Sequence, residues 1–155
     1  MLVEFNEFSI PASMDQTLHE LQLAGLHPII THPERNAILR ARPERLHTWV
    51  AQGNYVQITA GSLTGVFGLA AKELAWAWMG KGWVHFVSTD AHNTGRRPLK
   101  LRFAFEEIAR QLGEERADAL VIENPRAAFD GLPLPYVPEV APLVEAPKRK
   151  RFLFF

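Results

Sequence analysis

Short apolar runs alternate along this chain with longer stretches in which apolar residues recur every three or four positions. The runs predict strands at Leu2–Phe5, Pro28–Thr31, Tyr55–Thr59 and Trp83–Ser88. The stretches between them predict helices. Met14, Leu18 and Leu21 fall at i, i+4 and i+7, giving a helix over about 14–24 with Ser13 as its cap and Gly25 as its stop. Pro43, favourable in a first turn, opens a helix that runs to about Gln52, with Gly53 after it. Leu69 to Met79 is a third helix, ended by Gly80 and Gly82. Leu99 to Leu112 is a fourth, with Leu101, Phe105, Ile108 and Leu112 on one face. Two shorter helical pieces follow, at about 114–121 and 125–129. Gly61 to Gly68 reads as a glycine-punctuated loop.

Strands that alternate with helices imply β/α units and a parallel sheet, so the fold class is α/β with about four such units. The 155 residues suit one domain. Its folded part is expected over 1–131. From Leu132 prolines recur every few residues and preclude regular structure, so 132–155 reads as a Pro-rich tail ending in the basic-aromatic KRKRFLFF. That ending has two readings: a peripheral membrane or partner-docking segment, since basic residues near an anionic leaflet contribute about 1 kcal/mol each, or a tail with no dedicated role.

Charge and composition narrow the function. Lys plus Arg and Asp plus Glu each number 17, a balance that argues against bulk electrostatic binding of nucleic acid. With no cysteine, disulfide scaffolds, thiolate metal sites and cysteine-nucleophile phosphatase chemistry are all excluded. No apolar stretch is long enough to span a membrane and no signal peptide is visible, so a cytoplasmic location is the expectation.

Position carries more information than composition. Glu4 closes the first strand, His32 follows the second, Gly61-Ser62 the third and Asp90-Ala91-His92 the fourth. Active sites of parallel α/β proteins lie at the C-terminal ends of their strands, and four successive units deliver candidate groups to that one rim. Asp90 and His92, two apart, leave an extended segment on the same face. Together with Glu4 and His32 they form a carboxylate and imidazole set that suits Mn, Zn, Fe or Mg. Glu4, with two oxygens, could bridge paired metals that clamp a phosphate and activate a water. Arg35 and Arg97 flank these ligands, and a guanidinium fork matches two phosphate oxygens at once.

Blander readings exist for each residue. Glu7 rivals Glu4, Arg35 could pair with Glu34, Arg96 and Arg97 could be a surface pair, and Ser62 reads better as a loop or capping hydroxyl than as a phosphate contact. His19, His27, His47 and His85 have no motif context and read as surface or core residues, while Trp76, Trp78 and Trp83 read as packing.

The segments GLHPIITHPERN, AGSLTGVFG, VSTDAHNTGRRP and ENPRAAFDG, in that order, resemble successive motifs of the PHP-domain (polymerase and histidinol phosphatase type) bacterial protein tyrosine phosphatases, CpsB/CapC-like. The resemblance reaches about Pro135. It implies a distorted β/α barrel carrying a metal cluster, commonly manganese. It also implies hydrolysis of phosphotyrosine on partner proteins, notably the tyrosine autokinase that regulates polysaccharide export. Carried over, Glu4 matches the bridging carboxylate, His32, Asp90 and His92 match metal ligands, and Arg35 and Arg97 match the phosphate-binding arginines. The family's opening His-x-His pair has no counterpart here, and a full barrel needs about 200–250 residues. The expectation is an N-terminally truncated chain that binds metal weakly, turns over poorly and self-associates through unpaired sheet edges. The competing functions are a PHP phosphoesterase acting on a small phosphomonoester such as histidinol phosphate, and a non-catalytic module that docks a kinase or the membrane.

Overall fold

Each apolar run becomes a strand because its residues are needed on both faces of one buried sheet. The computed structural model describes residues 1–95 and 97–142. In it β1 (Leu2–Val3), β2 (Ile29–Thr31), β3 (Tyr55–Thr59) and β4 (Phe86–Ser88) lie side by side in chain order, all parallel. The register pairs Val3 with Ile30, Ile30 with Val56, and Ile58 with Val87. Ile30, Val56 and Ile58 are fully buried, as expected of parallel strands covered on both faces.

The connections are helical. They comprise α1 (Met14–Leu23), α2 (Ala37–Ala41), α3 (Pro43–Ala51), α4 (Ala60–Leu63), α5 (Leu69–Gly80), α6 (Arg102–Leu112), α7 (Glu114–Asp118) and α8 (Asn124–Phe129). Leu18, Leu39, Leu46, Trp49, Ile108 and Leu120 bring their apolar faces onto the sheet. The tryptophans pack as expected: Trp78 and Trp83 are buried with ring centroids 6.2 Å apart, and half-buried Trp76 donates to the Leu63 carbonyl at 3.2 Å.

Several sequence expectations are corrected. The 33–41 stretch, assigned to no element, holds a 3-10 turn (Pro33–Arg35) and then α2, where the Asn36 side chain accepts from the Ile38 and Leu39 amides at 3.0 Å. The Gly61 loop contains α4. Ser13 makes no side-chain cap; instead Thr17 Oγ1 donates to its carbonyl at 3.1 Å. The two terminal helical pieces form one continuous rod, because a π turn over Ala119–Glu123 joins α7 to α8. That wider turn accommodates Pro125, which lacks the N–H of a regular α-helix.

Residues 132–142 of the Pro-rich stretch form no helix or strand, yet they are strapped to the domain. Fully buried Asn124 donates to the His85 and Tyr136 carbonyls at 2.9 and 2.7 Å and accepts from the Tyr136 amide at 3.1 Å. Ala141 donates to the Lys81 carbonyl at 2.9 Å. Gly82, at φ +72°, lets the strap approach: a Cβ there would meet the Glu139 carbonyl oxygen at 2.1 Å. The KRKRFLFF ending lies outside the described residues. No helix among the described residues is long and apolar enough to cross a membrane.

Candidate functional site

The C-terminal ends of β1, β2 and β4 bring charged side chains together, and the end of β3 buttresses them. Glu4, the first residue past β1, places Oε1 3.2 Å from Nε2 of His32, the first residue past β2. Glu4 is largely exposed while His32 is buried. Burial, followed by the nearby Arg35 charge, lowers the His32 pKa, so the imidazole is neutral at neutral pH.

Asp90, two residues past β4, is the hub of the second group. Its Oδ2 accepts from Arg35 at 2.6 Å and also from Arg97. Arg35 reaches Glu7 as well, at 3.4 Å, and its guanidinium lies 4.4 Å above the centre of the Phe67 ring. All three side chains of the hub are mostly withdrawn from solvent, so the ion pairs are only weakly screened. His92 is more exposed and faces the Asp90 carbonyl through Nδ1 at 2.8 Å. A carbonyl oxygen can only accept, so Nδ1 is the donor in that contact and Nε2 is left to other partners.

The backbone is held in an unusual conformation at two of these residues. Among the described residues His32 (φ 34°) and Asp90 (φ 51°) are the only non-glycine positions with positive φ. Asp and His enter that region more readily than most side chains, but it is sparsely populated even for them, and such positions collect at functional sites.

Glu34 is the residue that sequence reasoning misjudged. It does not pair with Arg35; it is fully buried beneath the site. Its Oε1 accepts from the Thr59 amide at 2.9 Å and from Ser62 Oγ at 2.7 Å, and Oε2 has no partner. Burial raises its pKa despite those two bonds. Glu34 therefore ties the loop after β2 to the end of β3, and Ser62, expected as a loop or capping hydroxyl, lies in α4 and donates to the Glu34 carboxylate. Its place between His32 and Arg35 in His-Pro-Glu-Arg was the available signal. Phe67 gave none, since only the turn through Gly65 and Gly68 carries its ring beneath Arg35.

The donors fit a metal in kind and, in part, in geometry. Two ligands of one ion with bonds of about 2.1 Å lie roughly 3.0–3.4 Å apart, and the Glu4–His32 separation falls within that span. A histidine ligand commonly donates its other ring nitrogen to a carbonyl, as His92 does. Asp90 is the exception, because both arginines occupy it. Among the described residues no three His, Asp or Glu side chains converge as they stand.

Fold and site together define a parallel α/β protein whose strand ends gather Arg35 and Arg97 on Asp90 beside the Glu4–His32 contact. The chain belongs to the family described as "Capsular polysaccharide synthesis, CpsB/CapC", whose model matches residues 1–130. It is 36% identical over 115 residues to the tyrosine-protein phosphatase YwqE of Bacillus subtilis (strain 168), covering 74% of this chain and 45% of YwqE. It is 31% identical over 128 residues to the tyrosine-protein phosphatase CpsB of Streptococcus agalactiae serotype V, covering 79% and 53%. The chain thus spans about half the length of the curated relatives it matches. A solved structure superposes with a TM-score of 0.84 at 32% identity over 91% of this chain and 56% of the other. It comes from work on YwqE of Bacillus subtilis and CpsB of Streptococcus pneumoniae, described as unique metal-dependent tyrosine phosphatases.

Proposed function

We propose that this chain carries the phosphate-binding and metal-binding groups of a metal-dependent phosphotyrosine protein phosphatase. The observation that carries the reading is the convergence of Arg35 and Arg97 on one oxygen of Asp90, beside the Glu4–His32 pair. Two guanidiniums aimed at one point make an anion site, and a phosphate dianion competes for them with a carboxylate. Arg35 and Arg97 then hold the non-bridging oxygens of the phosphoryl group, while the Phe67 ring limits the directions open to Arg35. Water adds to phosphorus and the bond to the tyrosine oxygen breaks, leaving inorganic phosphate and the free tyrosine.

Glu4, His32, Asp90 and His92 are the groups that would hold a metal, with Asp90 available to it once phosphate takes the arginines. Manganese there, or Zn, Fe or Mg in its place, would supply Lewis acidity and activate a water. Neutral His32 is in the form that coordination requires, and His92 leaves Nε2 to other partners.

The substrate in this reading is a tyrosine-phosphorylated protein, with a tyrosine autokinase of capsule synthesis as the partner. The names of the relatives favour it over a small phosphomonoester. The sheet is read as an arc of a distorted β/α barrel. Supporting this, all four strands are neighbours in chain order, without the reversal of a doubly wound sheet.

The test is metal content and phosphotyrosine hydrolysis, measured on this chain and on the double variant Asp90→Ala, His92→Ala. Bound metal and turnover, both lost in the variant, are expected. A chain that takes up no metal and hydrolyses nothing, or a variant as active as its parent, overturns the reading.

A further inference from the structure

A groove of about 810 Å³ opens beside the arginine pair, between the segment after β3 and the face of α6, and Arg97 lines it. Its floor is Leu63 and Ala104, both buried, and Phe67 and Phe103 form apolar walls. Phe103 is 65% exposed, so a large aromatic ring stands there without a partner among the described residues. The Phe67 ring is shared: Arg35 stacks on it, and the same ring lines the groove. Groove and anion site are therefore continuous through Phe67 and Arg97.

The charges along the groove are unequal. Lys72, Arg97, Lys100 and Arg110 line it against Glu106 and Glu107. Both acids are engaged at close range, Glu107 with Arg110 at 2.7 Å and Glu106 with Arg102 at 2.8 Å. Lys72 and Lys100 make no ion pair among the described residues, so they give the groove its net positive field.

We propose that this groove receives the polypeptide flanking the phosphorylated tyrosine and selects substrates with acidic residues beside it. The inference rests on the phosphotyrosine reading above and adds a substrate class to it. An extended acidic segment would set its carboxylates against Lys72 and Lys100 and its apolar side chains against Phe103, while the phosphate reaches Arg35 and Arg97. Rim charges of this kind set selectivity and encounter rate more than total affinity.

Fluorescence anisotropy with labelled peptides tests it on the full chain. Three peptides would carry phosphotyrosine flanked by glutamate, alanine or lysine, and free phosphotyrosine would serve as competitor. The glutamate peptide is expected to bind about tenfold more tightly than the lysine peptide, and Lys72→Glu with Lys100→Glu to reverse that order. Phe103→Ala is expected to weaken all three by a similar factor. Equal binding of the three peptides, or a glutamate preference that survives charge reversal, overturns the groove. Binding of the unphosphorylated glutamate peptide as tightly as the phosphorylated one, with no competition from free phosphotyrosine, would support the groove and sink the phosphatase reading instead.

Discussion

His85, the residue just before β4, has a strongly displaced acid–base behaviour. It is buried, its Nδ1 accepts from the Val56 amide at 3.2 Å, and burial pushes its pKa down to about 4. Between pH 6.5 and 4 the unfolded chain binds this proton and the native chain does not. The stability it contributes is present above pH 6.5 and is lost as pH falls through that window, by on the order of 3 kcal/mol. His32, also lowered, acts in the same direction. Urea denaturation at pH 7 and pH 5 should show the loss, and equal midpoints would refute it. Glu34 gives a second prediction. Glu34→Gln keeps an oxygen for the Thr59 amide and Ser62, and should change stability by less than about 1 kcal/mol. Glu34→Ala leaves that buried amide unpaired and should cost about 2–4 kcal/mol, with phosphotyrosine affinity falling as the Arg35 loop loosens. Thermal melts of both variants distinguish the two costs.

At the level of elements, the strap is the feature most open to test. Residues 132–142 add no strand or helix, yet two hydrogen bonds between Asn124 and Tyr136, the bond from Ala141 to the Lys81 carbonyl and the close approach at Gly82 hold them to the domain. Asn124→Ala should cost about 2–4 kcal/mol, because it also orphans buried carbonyls. It should expose the strap to limited proteolysis before the domain itself unfolds. A variant cleaved no faster than its parent would show that the strap is held by apolar contacts such as Val140 instead.

For the whole molecule, ligand linkage is the informative quantity. A metal that binds only the native state raises stability by about 2.7 kcal/mol at a hundredfold excess over its dissociation constant. Manganese should therefore raise the melting temperature by about 5–11 °C, and Glu4→Ala with His32→Ala should remove the shift. A shift that survives in that variant would place the ion elsewhere. The outer strands β1 and β4 frame a second expectation. Leu2 on β1 is 68% exposed, β1 has no outer neighbour strand among the described residues, and such an edge invites association. Light scattering should show a mass that grows with concentration, and a constant monomer would refute it.

The amino-acid sequence by itself determined the order of strands and helices, because apolar periodicity reports burial and these strands are covered on both faces. It also located Glu4, His32, Arg35, Asp90, His92 and Arg97, since a parallel sheet puts every strand's C-terminal end on one rim and the polar residues after each run must collect there. The Asn36 cap went unread, because the five-residue helix it opens is too short to show a period. What only the tertiary structure decided is partnership. Arg35 could have turned to Glu34, its neighbour in sequence, or to carboxylates far along the chain; burial of Glu34 beneath the loop left Asp90 and Glu7 as its partners. Phe67 beneath Arg35, Asn124 under the strap and the cationic groove beside Arg97 have the same origin. They are contacts between segments distant in the chain, and local pattern encodes which face a residue takes, not which residue it meets there.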